Sequence, residues 1–141
     1  MEGKTLVLDA SVIVKWYSEE GDTEKALQIR DLFLKNKFNI MVPDLMFYEV
    51  ANVVRYARGI VDKEKEAILN NIVLLNLDVV SVSRHNLIKS LSLALKYDIT
   101  VYDAVYLVIA SQKKAVYVTA DEKLKKKVAL KNVMLLSEWK T

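Results

Sequence analysis

Short apolar runs alternate with longer amphipathic stretches from one end of the chain to the other. Residues 5 to 8 (Thr-Leu-Val-Leu) form an apolar run closed by Asp9, which predicts a strand ending in a turn, and residues 11 to 17 then take up a helical pattern. Ala26, Leu27, Ile29, Arg30 and Phe33 give 23 to 36 a partly amphipathic helical spacing that stops near Asn36 and Lys37. Residues 39 to 42 predict a second strand. Pro43 stands where proline favours a first helical turn, so a helix is expected to open there and run to about Arg58, with Gly59 as its stop. Met46, Val50, Val53, Val54 and Ala57 are its expected apolar stripe.

The alternation continues. Helices are expected over 63 to 75, 85 to 97 and 100 to 112, strands over 79 to 82 and 115 to 118, and a short Lys-rich helix after Asp121. Residues 132 to 136 predict a last strand at a sheet edge. Strands alternating with helices in this way specify the α/β class, with a mostly parallel sheet covered by helices on both faces. There is no internal repeat or linker, and 141 residues suit one domain spanning 1–141.

Composition narrows the chemistry. With 52% hydrophobic residues, 3 Gly and 1 Pro, the chain has the make-up of an ordered fold. It has no cysteine, which excludes disulfides, thiolate zinc sites and a cysteine nucleophile. Its single histidine, His85, excludes a histidine-pair ribonuclease and is expected at the surface or at a helix start. The apolar start is broken by Asp9 and Lys15, too short and too charged for a signal or membrane segment, so a cytoplasmic protein with no membrane partner is expected. The net charge of +3 is modest. Lys113, Lys114, Lys123, Lys125, Lys126, Lys127 and Lys131 nevertheless crowd one stretch, either as a solvated face or as a rim that attracts phosphates.

In an open parallel sheet ligands bind beyond the carboxyl ends of the strands. Asp9 and Asp121 each follow an apolar strand there, and Asp103 falls in the first turn of a helix. Each has a structural explanation as well: Asp9 and Asp121 suit helix starts, Thr119 with Glu122 matches a capping box, and Thr100 with Asp103 matches its weaker aspartate version. Glu49 resists such a reading, because it shares a helix face with Asn52, Val53 and Tyr56 beside the apolar stripe. If the four acids converge, like charges at 4 Å repel by about 4 kcal/mol at an effective dielectric of 20. Hard oxygen donors with open positions suit Mg²⁺ or Mn²⁺.

Leu8-Asp9-Ala10-Ser11-Val12, Pro43-Asp44 to Glu49-Val50-Ala51-Asn52, Tyr102-Asp103-Ala104-Val105-Tyr106 to Ala110, and Val118-Thr119-Ala120-Asp121-Glu122 occur in that order along the chain. Together they resemble a PIN domain, most closely the VapC-type toxins. The resemblance implies a three-layer α/β/α fold in which Asp9, Glu49, Asp103 and Asp121 bind one or two Mg²⁺ or Mn²⁺ ions. It further implies supporting roles for Ser11, Asn52 and Thr119, and hydrolysis of RNA phosphodiesters by metal-activated water. Cleavage would leave 5′-phosphate and 3′-hydroxyl ends. A homodimer and a small antitoxin partner, with the helices around 43 to 75 helping to form both interfaces, are also implied. Asp98 departs from the family pattern, in a place where many relatives carry glycine.

Two other readings compete. A receiver-like regulatory domain binds Mg²⁺ in an acidic pocket, but its pattern has adjacent acids after the first strand, where this chain has Asp9-Ala10-Ser11. A non-catalytic PIN-like module would bind RNA or protein without cutting. Trp16, Tyr17, Tyr48, Tyr56, Tyr102 and Tyr106 lie nearest the motifs, and most are expected in the core or at subunit contacts, with base stacking as the alternative.

Overall fold

The computed structural model describes residues 4–141. Strand β1 (Thr5–Leu8) pairs in parallel with β2 (Asn39–Pro43) on one side and β4 (Val116–Thr119) on the other, while β3 (Asp78–Val80) and β5 (Val133–Leu135) form the edges. The order is therefore β3-β2-β1-β4-β5, and every pairing is parallel. Leu6, Val7 and Leu8 are buried, as expected for a central strand covered on both faces.

Helices α1 (Ala10–Ile13), α2 (Thr23–Leu34), α3 (Leu45–Tyr56), α4 (Asp62–Leu74), α5 (Arg84–Tyr97), α6 (Val101–Gln112) and α7 (Glu122–Lys127) complete a three-layer α/β/α arrangement. A 3₁₀ turn, Val14–Trp16, extends α1 and buries Trp16, whose indole N–H donates to Ala26 O at 2.9 Å. Helix α6 is apolar on all sides, and Ala104 to Ala110 are buried without a break. A helix of that composition belongs inside a fold. It packs against β1, β2 and β4 and is backed by α5. No helix among the described residues is long and apolar enough to cross a membrane.

Two local expectations fail. Pro43 closes β2 opposite Val80 and does not open the helix, which Asp44 caps by accepting from Leu45 N at 3.0 Å. A strand's last residue tolerates proline because the ladder needs no further donor there. Val53 is 49% exposed and Ala57 lies past the helix as its extended C-cap, so the apolar stripe of α3 is carried by Met46, Val50 and Val54. Asp98 follows α5 in the left-handed region (φ 55°, ψ 51°), the conformation that favours glycine and that aspartate also tolerates.

Candidate active site

The connections from β1 and β4 diverge at the carboxyl ends of those two neighbouring strands, which opens a crevice at the switch point of the sheet. Asp9 lies at its floor, 6% exposed. It caps α1 by accepting from Ser11 N at 3.1 Å, so its helix-start role is real. The same carboxylate also accepts from the hydroxyls of Ser11, of Tyr117 at 2.7 Å and of Thr119 at 2.6 Å. Ser11 Oγ in turn accepts from Ala120 N at 2.9 Å and so ties the end of β1 to the turn after β4.

The other acids arrive from separate elements. Glu49, in the second turn of α3, is half-buried and accepts from the Tyr106 hydroxyl at 2.7 Å. Asp103 lies in the first turn of α6, where Thr100 Oγ1 accepts from its backbone N–H at 3.0 Å. Asp121 caps α7 by accepting from Leu124 N at 3.1 Å and is exposed. The expected capping box of Thr119 with Glu122 does not form. Thr119 is still in β4, fully buried with its hydroxyl on Asp9, and the capping position falls to Asp121.

Burial raises the Asp9 pKa, opposed by the hydrogen bonds from Ser11, Thr119 and Tyr117. Glu49 is raised by burial and by the charges of Asp9 and Asp103, with the Tyr106 hydroxyl pulling the other way. Asp103 is raised by burial and by the charges of Asp9 and Asp121, against its Thr100 hydrogen bond. The four acids therefore share one electrostatic neighbourhood. Among the described residues, however, no three acidic or imidazole groups are drawn together tightly enough to enclose an ion. Asp9 is held by three hydroxyls and Glu49 by one, so each of these carboxylates is anchored on its own side of the crevice.

Residues 6–130 match the PIN domain family. The chain belongs to that family. Membership sets aside the receiver-like reading. No curated protein matches the sequence. Among solved structures, PAE2754 from Pyrobaculum aerophilum shares this PIN fold at 26% identity and a TM-score of 0.68, over 97% of this chain and 86% of that one. VapBC2 from Rickettsia felis, bound to a DNA fragment from their promoter, is similar at 18% identity and a TM-score of 0.67, over 93% of this chain and 96% of that one. The Mycobacterium tuberculosis VapC20, a sarcin-ricin loop cleaving toxin, is similar at 12% identity and a TM-score of 0.68, over 86% and 93%.

Around the acids, the PIN crevice has two recesses. One is lined by Glu49, Asn52, Tyr48 and Tyr102, the other by Asp103, Asp121, Lys123 and Lys127. The lysine expectation divides accordingly. Lys113 and Lys114 follow α6 and precede β4, at the opposite end of the sheet, and ten helical residues put Lys113 about 15 Å along the axis from Asp103. They do not border the crevice. Lys125 is turned away, with Nζ donating to Val133 O at 2.5 Å, while Lys126 is exposed and lines neither recess. Lys127 pairs with Asp98 at 3.4 Å. Lys123 has no ion pair among the described residues. His85 is exposed in the first turn of α5.

Sequence reasoning missed the two tyrosines that hold the acids. Tyr106 and Tyr117 are fully buried and stacked, with ring centroids 5.6 Å apart and planes at 18°. Each hydroxyl satisfies its own need for a partner on a different carboxylate. Tyr106 stands three residues after Asp103, on the same helical face, where an aromatic is expected in the core or at a subunit contact. Tyr117 alternates with Val116 and Val118, and its position two residues before Thr119 puts both side chains on one side of β4, the available signal.

Proposed function

We propose that this PIN domain, one domain over 1–141, is a Mg²⁺- or Mn²⁺-dependent endoribonuclease and the toxin of a toxin–antitoxin pair. Asp9, Glu49, Asp103 and Asp121 would hold the ion, with Ser11, Thr119 and Asn52 in support. The observation that carries this reading is the convergence of Asp9, Glu49 and Asp103 on one crevice from the end of β1, from α3 and from α6, close enough that the charge of Asp9 acts on both of the others. Stability alone disfavours bringing three acids onto one crevice, whereas hard carboxylate oxygens with room for water and phosphate fit these cations. When bound, the ion supplies an activated water and neutralises charge that develops on the phosphate during in-line attack.

The chain's own residues prepare that chemistry. Ser11, Thr119 and Tyr117 fix both oxygens of Asp9 as acceptors, so its direction is set before any ion arrives. Tyr106 does the same for Glu49. Asp121 faces solvent at the mouth, where a substrate phosphate enters. Lys123 and Lys127 oppose the repulsion between RNA and the acids. For a homodimer, the exposed stripe Leu87, Ile88, Leu91 and Leu95 on α5 suits a second copy better than the helices around 43 to 75 that the family resemblance implies. An antitoxin partner is supported by the toxin–antitoxin complexes among similar structures, and a cytoplasmic setting fits a protein that acts on RNA.

The test is cleavage of structured RNAs with Mg²⁺ or Mn²⁺ against EDTA. Fragments with 5′-phosphate and 3′-hydroxyl ends are expected only with the ion and again when it is restored. Intact RNA under every ion condition, with RNA or protein still bound, would leave the non-catalytic module.

A further inference from the structure

Two tyrosine rings stand in solvent beside the acids. Tyr48 is 74% exposed and Tyr102 60% exposed. Their neighbours in sequence are Glu49 and Asp103, and they come from the first turns of α3 and α6 to line one recess together with Asn52. Tyr106 and Tyr117 are buried and hydrogen-bonded, so the fold explains them. It does not explain Tyr48 and Tyr102. Rings this exposed withdraw little apolar area from water and add little to stability.

Across the acids lies the opposite chemistry. Lys123 and Lys127 line the second recess, and Lys123 is the freer of the two because Lys127 is engaged with Asp98. The crevice therefore has an aromatic bank and a cationic bank with carboxylates between them. A single nucleic-acid strand carries matching features along its length: flat bases on one side and phosphates on the other. A duplex does not, because its bases are already stacked and paired.

We infer that Tyr48 and Tyr102 are base-stacking residues for an unpaired RNA strand that crosses the crevice with its phosphates towards Lys123 and Lys127. This rests on the nuclease reading above. Stacking on an exposed aromatic ring tolerates any base, so the two rings select for unpaired RNA and not for sequence.

The experiment measures binding, not cleavage. A fluorescein-labelled RNA of about twelve nucleotides, free of self-pairing, and its duplex with the complement are titrated with protein in Ca²⁺ buffer, and anisotropy is read. The single strand is expected to bind more tightly than the duplex. Tyr48→Ala and Tyr102→Ala should each weaken single-strand binding on the order of tenfold with the salt dependence unchanged. Tyr48→Phe and Tyr102→Phe keep the ring and should bind like wild type. Lys123→Ala should flatten the salt dependence instead. Alanine variants that bind the strand like wild type, or a duplex bound as tightly as the strand, would overturn the inference. Unchanged RNA binding together with an altered oligomeric state in light scattering would assign the rings to a protein contact. Tyr-dependent binding without cleavage in Mg²⁺ or Mn²⁺ would sink the nuclease reading and leave this one standing. Cleavage with Tyr-independent binding would do the reverse.

Discussion

Asp103→Asn is expected to abolish RNA cleavage while leaving the metal-free protein melting no lower than wild type. Asparagine keeps the size of the side chain, and the cap at this helix start survives, because Thr100 Oγ1 accepts from the backbone N–H of residue 103. A carboxylate in a first helical turn is worth roughly 0.3 to 1 kcal/mol against the helix dipole. Here burial and the charges of Asp9 and Asp121 work against the ionised form and raise its pKa. Removing the charge therefore relieves more than it forfeits. Added Mg²⁺ should stabilise the variant less than wild type, since ligand-linked stabilisation follows RT ln(1 + [L]/Kd) and Kd has risen. Melting curves in EDTA and in Mg²⁺, beside one cleavage assay, decide it. A variant that is destabilised in EDTA yet fully active would make Asp103 a capping residue and nothing more.

The second large effect concerns pH. Asp9, Glu49 and Asp103 all have folded-state pKa values above their ordinary ones, with burial the leading cause in each. A raised carboxyl binds its proton more tightly in the folded than in the unfolded chain, so its stabilising contribution is complete below the unfolded pKa. That contribution is lost as pH rises through the folded pKa. In EDTA the melting temperature should therefore fall as pH climbs from the ordinary carboxylate range towards neutrality. Mg²⁺ or Mn²⁺ should flatten or invert this slope, because the ion binds the deprotonated acids. Thermal scans across pH with and without the ion measure both slopes. Metal-free stability that rises steadily over the same interval would contradict the burial and crowding of these acids.

The fold was legible where one face or both faces of an element are apolar. β1, the buried α6 and the alternation of strands and helices all follow from periodicity. Pro43 is ambiguous in the sequence because proline suits both a first helical turn and the end of a strand, and only the partner strand, with Val80 opposite, decides between them. Thr119 is ambiguous for a related reason. Its spacing to Glu122 satisfies a capping pattern, but the bond it forms is to Asp9, 110 residues away in sequence. Strand order is a long-range property of the same kind. It determines that Asp9 and Asp121 flank one crevice and that Lys113 and Lys114 lie at the far end of the sheet.

The candidate acids were legible from their places after strands and on helix faces, whereas their suspension was not. The local pattern reports burial of an aromatic ring, as for Tyr106, but not the partner of its hydroxyl. The hydroxyls of Tyr106 and Tyr117 reach the acids only because α3 brings Glu49 beside α6, and β1 brings Asp9 beside β4. The exposed Tyr48 and Tyr102 are not separable from buried aromatics by spacing alone, since Tyr102 stands at i, i+4 from the buried Tyr106 on the same side of α6.

The central claim is that the four acids form one metal site, and crystals equilibrated with Mn²⁺ test it most directly through anomalous scattering. A peak between the carboxylates of Asp9, Glu49, Asp103 and Asp121 is expected, with those side chains drawn inward from their metal-free positions and the peak lost or weakened in Asp103→Asn. An empty crevice in a protein that cuts RNA under the same Mn²⁺ concentration, or a peak held by other residues, would contradict it.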